Sequence, residues 1–247
     1  MAEDTYILEI PIKREKWAKS FYWGYTHKAP QPLIAMRDSF LHPEEEEVYQ
    51  QFASKLKQES FIQGRYIAKK VISKFFSLKD PCSFKVMPGI FHQPVVYLPA
   101  HDPPSISISH SFGQAHCIVY PREHPMGIDV ETISPDNDEH IRSQTTASER
   151  KLITSTEPES LAFTRLWTIK ESLSKVLNTG LFTPMELYEV EQIQNNEGYT
   201  ESHFTYFYQY KSISFTIKDS VISLSIPKNS HFNIKYIFEN MLNKLYH

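Results

Sequence analysis

Asp129 and Glu131 stand two residues apart in the segment Gly127-Ile128-Asp129-Val130-Glu131. In a strand, that spacing puts both carboxylates on one face and sends Ile128 and Val130 to the other. Like charges side by side repel, so the pair favours a cation between them. Oxygen donors suit magnesium or manganese better than zinc. A solvated strand face explains a lone D-x-E equally well. Further along, Trp167, Glu171 and Lys175 recur at i, i+4 and i+8, a single stripe if the segment is helical, with Lys170 beside it. Taken alone, Glu171 and Lys175 are an ordinary helical ion pair worth about 0.3–0.5 kcal/mol, and Lys170 is a solvated lysine. Taken together, three carboxylates and two lysines that periodicity can aim at one point are equipment for holding a divalent cation against a pyrophosphate.

The remaining candidate groups read more plainly. Arg65 and Lys69 lie four apart and share a helix face, either as two snorkelling cations or as an anion clamp. His110 ends the alternating run Ser105-Ile106-Ser107-Ile108-Ser109, whose isoleucines face a core and whose serines face away. By itself it reads as a satisfied structural histidine. His110, His116, Cys117 and His124 match no strong zinc spacing. Cys82 and Cys117 form no close-spaced motif and read as buried, reduced thiols.

These residues need elements to position them. Tyr6, Leu8, Ile10 and Ile12 alternate as in a strand. Pro43 followed by four glutamates, Glu44 to Glu47, reads as a solvated helix start, with Phe52 and Leu56 continuing its apolar side. A second helix is expected over about residues 61–76, with Gly64, Ala68, Val71 and Phe75 on one stripe. Residues 82–131 are strand-like, punctuated by Pro88-Gly89, Pro103-Pro104 and Pro121. A polar loop from Thr132 to Thr146 leads to a short helix at Ser148-Glu149-Arg150 and a longer one over about 160–177. Antiparallel ribbons over 204–226 follow, then a closing amphipathic helix carrying Ile237, Phe238, Met241, Leu242 and Leu245. The grouped order, strands and helices followed by strands and helices again, predicts an α+β fold in two similar halves, 1–124 and 125–247.

Composition narrows the function classes. The 247 residues are 40% apolar, enough for a substantial core, and carry a formal charge of −3, so no global field favours nucleic acid or a membrane surface. Neither glycine-rich nucleotide fingerprint is present. The start, Met1-Ala2-Glu3-Asp4, has no apolar stretch of a secretory signal, and no apolar run reaches the ~20 residues of a membrane helix. A cytoplasmic protein is expected.

Ser107-Ile108-Ser109-His110-Ser111, Gly127-Ile128-Asp129-Val130-Glu131 and Trp167-x-x-Lys170-Glu171-x-x-x-Lys175 follow one another at fitting distances. In this order they resemble a 4′-phosphopantetheinyl transferase of the surfactin-synthetase type, over roughly residues 52–187. The resemblance implies two α+β halves related by a pseudo-twofold axis, acting as a monomer, with coenzyme A in the cleft between them. It implies transfer of the phosphopantetheine arm of coenzyme A to a serine of an apo acyl or peptidyl carrier protein, releasing adenosine 3′,5′-bisphosphate. By resemblance, Asp129, Glu131 and Glu171 bind Mg2+, with Mn2+ as alternative. Glu171 is also the base for the serine, and Lys175 holds a pyrophosphate oxygen and helps the leaving bisphosphate depart. Lys69, Gln93, Pro94, Ser109, His110, Asp129 and Lys175 contact coenzyme A, while Arg65, His92, Glu149, Trp167 and Lys170 support the site. Many members read Gly-Lys-Pro where this chain has His92-Gln93-Pro94, so a cationic contact to the nucleotide is missing and His92 is its substitute. Two other readings use the same acids: a metal-dependent pyrophosphate hydrolase, and a coenzyme A-binding module without catalysis.

Overall fold

The computed structural model describes residues 5–15, 17–99, 102–153 and 157–245, apart from the side chains of 137, 181 and 241–245. Met1 to Asp4 and the side chains of Met241, Leu242 and Leu245 lie outside the described residues. The chain separates into two compact units, Met1–Glu123 and His124–Tyr246.

The first unit runs β1 (Thr5–Arg14), β2 (Trp17–Thr26), α1 (Pro30–Ala35), α2 (Pro43–Gln50), α3 (Lys55–Phe76), β3 (Lys85–Pro88), β4 (Pro94–Tyr97), β5 (Ser105–Ser111) and β6 (Gln114–Tyr120). Its main sheet has the order β1-β2-β6-β5, and β3 and β4 form a separate hairpin. The apolar stripe of α3, including Ile67, Ala68, Val71 and Ile72, packs on Cys117, Val119, Ile106 and Ile108. Ser107 and Ser109 therefore point to the other face of the sheet, as alternation requires; both are nevertheless buried. On that face Trp23 donates to His116 Nδ1 at 3.2 Å, and burial pulls the imidazole down to about 3, which keeps it neutral.

The second unit runs β7 (Gly127–Thr132), α4 (Asp138–Ser143), α5 (Ala147–Arg150), α6 (Glu159–Leu177), β8 (Val190–Asn196), β9 (Tyr199–Phe204), β10 (Tyr210–Ile217), β11 (Ser220–Pro227) and α7 (Ile234–Leu245). Its sheet is antiparallel, in the order β7-β11-β10-β9-β8. Helix α6 meets this sheet through hydroxyls: Thr168 bonds Ser223 and Ser172 bonds Ser225, each at 2.7 Å. Small polar pairs satisfy one another here and let the helix approach closely. No helix among the described residues is long and apolar enough to cross a membrane.

The two units repeat one internal plan. In each, a helix begins with a capping box whose third residue is a fully buried glutamate, Glu45 after His42 and Glu149 after Thr146. In each, one carboxylate oxygen receives a strand amide, Val86 N–H at 2.8 Å or Val190 N–H at 2.9 Å. The other receives a buried lysine of the long helix at 2.7 Å, Lys69 or Lys170. Each long helix ends on a left-handed residue, Ser77 (φ 57°) or Asn178 (φ 55°). Each also packs against a strand glycine. A Cβ on Gly24 would meet Val71 Cγ2 at 2.2 Å, and one on Gly127 would meet the Ser172 carbonyl oxygen at 2.1 Å. Backbone cannot yield as a side chain can. Gly127→Ala should therefore push α6 off β7 and cost about 1–3 kcal/mol, as overpacked cores do. Chemical unfolding of the variant checks this, and an unchanged midpoint would sink it.

Several sequence expectations need correction. Strand β2 had no legible alternation and was not expected. Glu45 is not part of a solvated helix start, because it is 0% exposed and its charge is consumed inside the fold. Phe52 and Leu56 do not extend α2, which ends at Gln50; Leu56 lies in α3 and is exposed. The loop 132–146 contains α4. Cys117 is buried and free, but Cys82 is only half-buried.

Candidate active site

Strand β7 and helix α6 bring the chemistry-bearing residues together. Asp129 pairs across the ladder with Ser223 and Glu131 with Val221, so Asp129 and Glu131 share the face on which Gly127 touches α6. Asp129 is buried, and Lys175 Nζ donates to its Oδ1 at 2.6 Å. Glu171, one helical turn before Lys175, joins them. Its own burial pushes the carboxyl up to about 7, and the negative charge of Asp129 pushes in the same direction; Lys175 and a hydrogen bond from Ser174 oppose both. The strand acid, the helix acid and the helix lysine thus act on one another.

Glu131 stands one step along. With Thr132, His140, Ile141, Thr164 and Trp167 it lines a cavity of about 190 Å3. Two residues of strand advance about 6.8 Å and one helical turn about 5.4 Å, so Asp129 matches Glu171 while Glu131 matches Trp167. Among the described residues, no group of three His, Cys, Asp or Glu side chains is assembled to hold a metal ion. Asp129 and Glu171 still fit a hard divalent cation in donor chemistry, being adjacent carboxylates whose repulsion is already felt by Glu171. His140 and Thr164 are the residues that sequence reading missed. His140 meets Trp167 edge-on with ring centroids 5.4 Å apart, and the signal that could have revealed it was a helix hidden in a polar stretch.

A pH dependence follows. In a chelating buffer, Glu171 holds its proton more tightly folded than unfolded. Its contribution to stability is therefore full below about pH 4.5 and is lost as pH rises towards about 7. The thermal midpoint of the wild-type chain should fall relative to Glu171→Gln across that window and run parallel to it above. Parallel curves throughout would contradict the assignment.

The other expected site residues are placed differently. Lys69 is fully buried, and its three donors go to Glu45, the Pro81 carbonyl and the Phe84 carbonyl. Burial pulls its ammonium below lysine's usual range, against the pull of Glu45. With no donor left for a phosphate, the anion-clamp expectation for Lys69 is corrected. Arg65 lies 3.5 Å from the same Glu45 and 4.6 Å from the Phe61 ring centroid. Lys170 and Glu149 are each other's partners, so Lys170 is no solvated lysine, and both position α5, α6 and β8 rather than facing a ligand. Gln93 is turned into its own hairpin, where Oε1 accepts from Phe91 N–H at 2.9 Å over Gly89. His92 is exposed in a left-handed turn (φ 61°), and Pro94 opens β4 opposite Pro88. Ser109 is buried opposite His116, and His110 is exposed at the strand's end opposite Ala115.

A strand acid and a helix acid set against a lysine are groups able to hold a cation or move a proton, carried on an α+β scaffold. Residues 125–225, which contain this site, match the model of the 4′-phosphopantetheinyl transferase superfamily, ACPS. The match spans the second unit from the start of β7 into β11, and it is a similarity of that segment to the superfamily. Three solved structures are similar at low identity. A holo-(acyl-carrier-protein) synthase from Bacillus anthracis str. Ames, crystallised in complex with CoA (3',5'-ADP), is 19% identical with a TM-score of 0.33, over 46% of this chain and 94% of that one. A holo-ACP-synthase from Plasmodium yoelii is 13% identical with a TM-score of 0.33, over 47% and 95%. The holo-[acyl-carrier-protein] synthase of Thermotoga maritima is 14% identical with a TM-score of 0.32, over 50% and 69%. No curated protein matches.

Proposed function

We propose that this chain moves the 4′-phosphopantetheine moiety of coenzyme A onto a serine hydroxyl of an apo acyl or peptidyl carrier protein and releases adenosine 3′,5′-bisphosphate. The observation that carries the reading is the convergence of Asp129, Glu171 and Lys175 inside the matched segment. A serine hydroxyl is a weak nucleophile and needs a group that orients it and draws off its proton; Glu171 has that role. The attacked phosphate already carries negative charge, and more gathers on the departing bisphosphate. Lys175, held in place by Asp129, sets an ammonium where that charge grows. Magnesium or manganese, held by Asp129 and Glu171 with Glu131 as the further donor implied by resemblance, would neutralise and orient the pyrophosphate. The reading has the chain acting as a cytoplasmic monomer.

The test is mass spectrometry of several apo carrier proteins after incubation with the enzyme, coenzyme A and magnesium. Each true acceptor gains one phosphopantetheine. Release of the bisphosphate without an acceptor would favour a pyrophosphate hydrolase. Binding of coenzyme A with neither product would favour a module without catalysis.

A further inference from the structure

The repeated plan lets the site of the second unit be located in the first. Gly24 corresponds to Gly127, so Thr26 and Lys28 stand where Asp129 and Glu131 stand. Lys69 corresponds to Lys170, so Tyr66, Lys70 and Lys74 stand where Trp167, Glu171 and Lys175 stand. Contacts agree with this mapping. Glu131 lines a cavity with Trp167, and Lys28 Nζ lies 5.8 Å from the Tyr66 ring centroid. Every acid of the second-unit site has become neutral or basic, while its lysine has been kept.

We propose that this inverted copy is an anion-binding site for a phosphate dianion, free or as the monoester of a small ligand. Lys70 Nζ lies 5.6 Å from the same Tyr66 ring, so two ammonium groups gather at one aromatic side chain. Each is attracted to the ring, yet they repel one another. Lys74 adds a third positive charge one turn further on the helix face. Among the described residues none of the three has a carboxylate partner; Lys70 and Lys74 are exposed and Lys28 is half-buried. Compact ammonium charges without counter-ions suit a phosphate, which meets several point charges at once. Tyr66 is buried beneath them and offers no open face for stacking a base, so the charge on the ligand is what is recognised. The proposal goes beyond the transfer reaction and does not depend on it.

Isothermal titration of the full chain with inorganic phosphate, without divalent cations or coenzyme A and against matched chloride, tests the site. One saturable event is expected. The K28A/K70A/K74A triple variant should bind at least tenfold more weakly, and Lys235→Ala, at an exposed lysine of α7, should bind as wild type does. Phenyl phosphate should compete and phenol should not, which separates a monoester from a neutral ring. Failure of phosphate to bind wild type, undiminished binding by the triple variant, or an equal loss of binding in Lys235→Ala would each overturn the proposal. Carrier modification, assayed in parallel, reports separately on the transfer reaction.

Discussion

Glu171→Gln should lower phosphopantetheine transfer by about 10²–10⁴-fold, the range for a positioned acid–base group, while leaving coenzyme A affinity mostly intact. Glutamine keeps the size of the side chain and can still accept a hydrogen bond. It cannot take a proton, and it removes the charge that burial and Asp129 already make costly. The variant should fold at least as well as wild type near neutral pH, so lost turnover cannot be attributed to lost structure. Single-turnover transfer and direct titration with coenzyme A separate the two effects. A large loss of affinity would make Glu171 chiefly a metal anchor, and unimpaired transfer would remove it from the reaction altogether.

Lys170→Met should destabilise the second unit by about 3–5 kcal/mol, the cost of leaving one partner of a buried ion pair uncompensated. Glu149 is 0% exposed and is fixed by the Val190 and Thr146 amides, so it cannot swing towards water when its lysine is gone. Lys69→Met should act alike in the first unit by stranding Glu45. Denaturant unfolding with fluorescence and far-ultraviolet circular dichroism measures each loss. A cost under about 1 kcal/mol would mean that water reaches the glutamate after all.

Much of the fold was legible because periodicity reports which face is buried. The alternating serines and isoleucines of 105–109 and the stripe of α3 each read correctly. Strand β2 escaped because its residues are aromatic and small in no regular order. Helix α4 escaped because a short, polar helix carries too few apolar positions to show a period. At the site, the D-x-E pair and the Trp167-Glu171-Lys175 stripe were readable from spacing, and two of the three acids meet as that spacing suggests. The roles of Lys69, Lys170 and Glu149 were not readable. A charged residue's spacing is the same whether its partner is water or a buried ion, and only tertiary structure decides between them. The two similar halves were legible from the grouped order of elements, but the residues that repeat were not, because the likeness survives in caps, glycines and buried ion pairs rather than in sequence identity.

Each repeat thus owns a complete fastening: a capped helix start, a glutamate clasping a strand amide and a lysine closing the clasp. None of these bonds reaches into the other repeat. The amino-terminal half can therefore lock its own interior during synthesis, before the ribosome has delivered the residues that carry the chemistry.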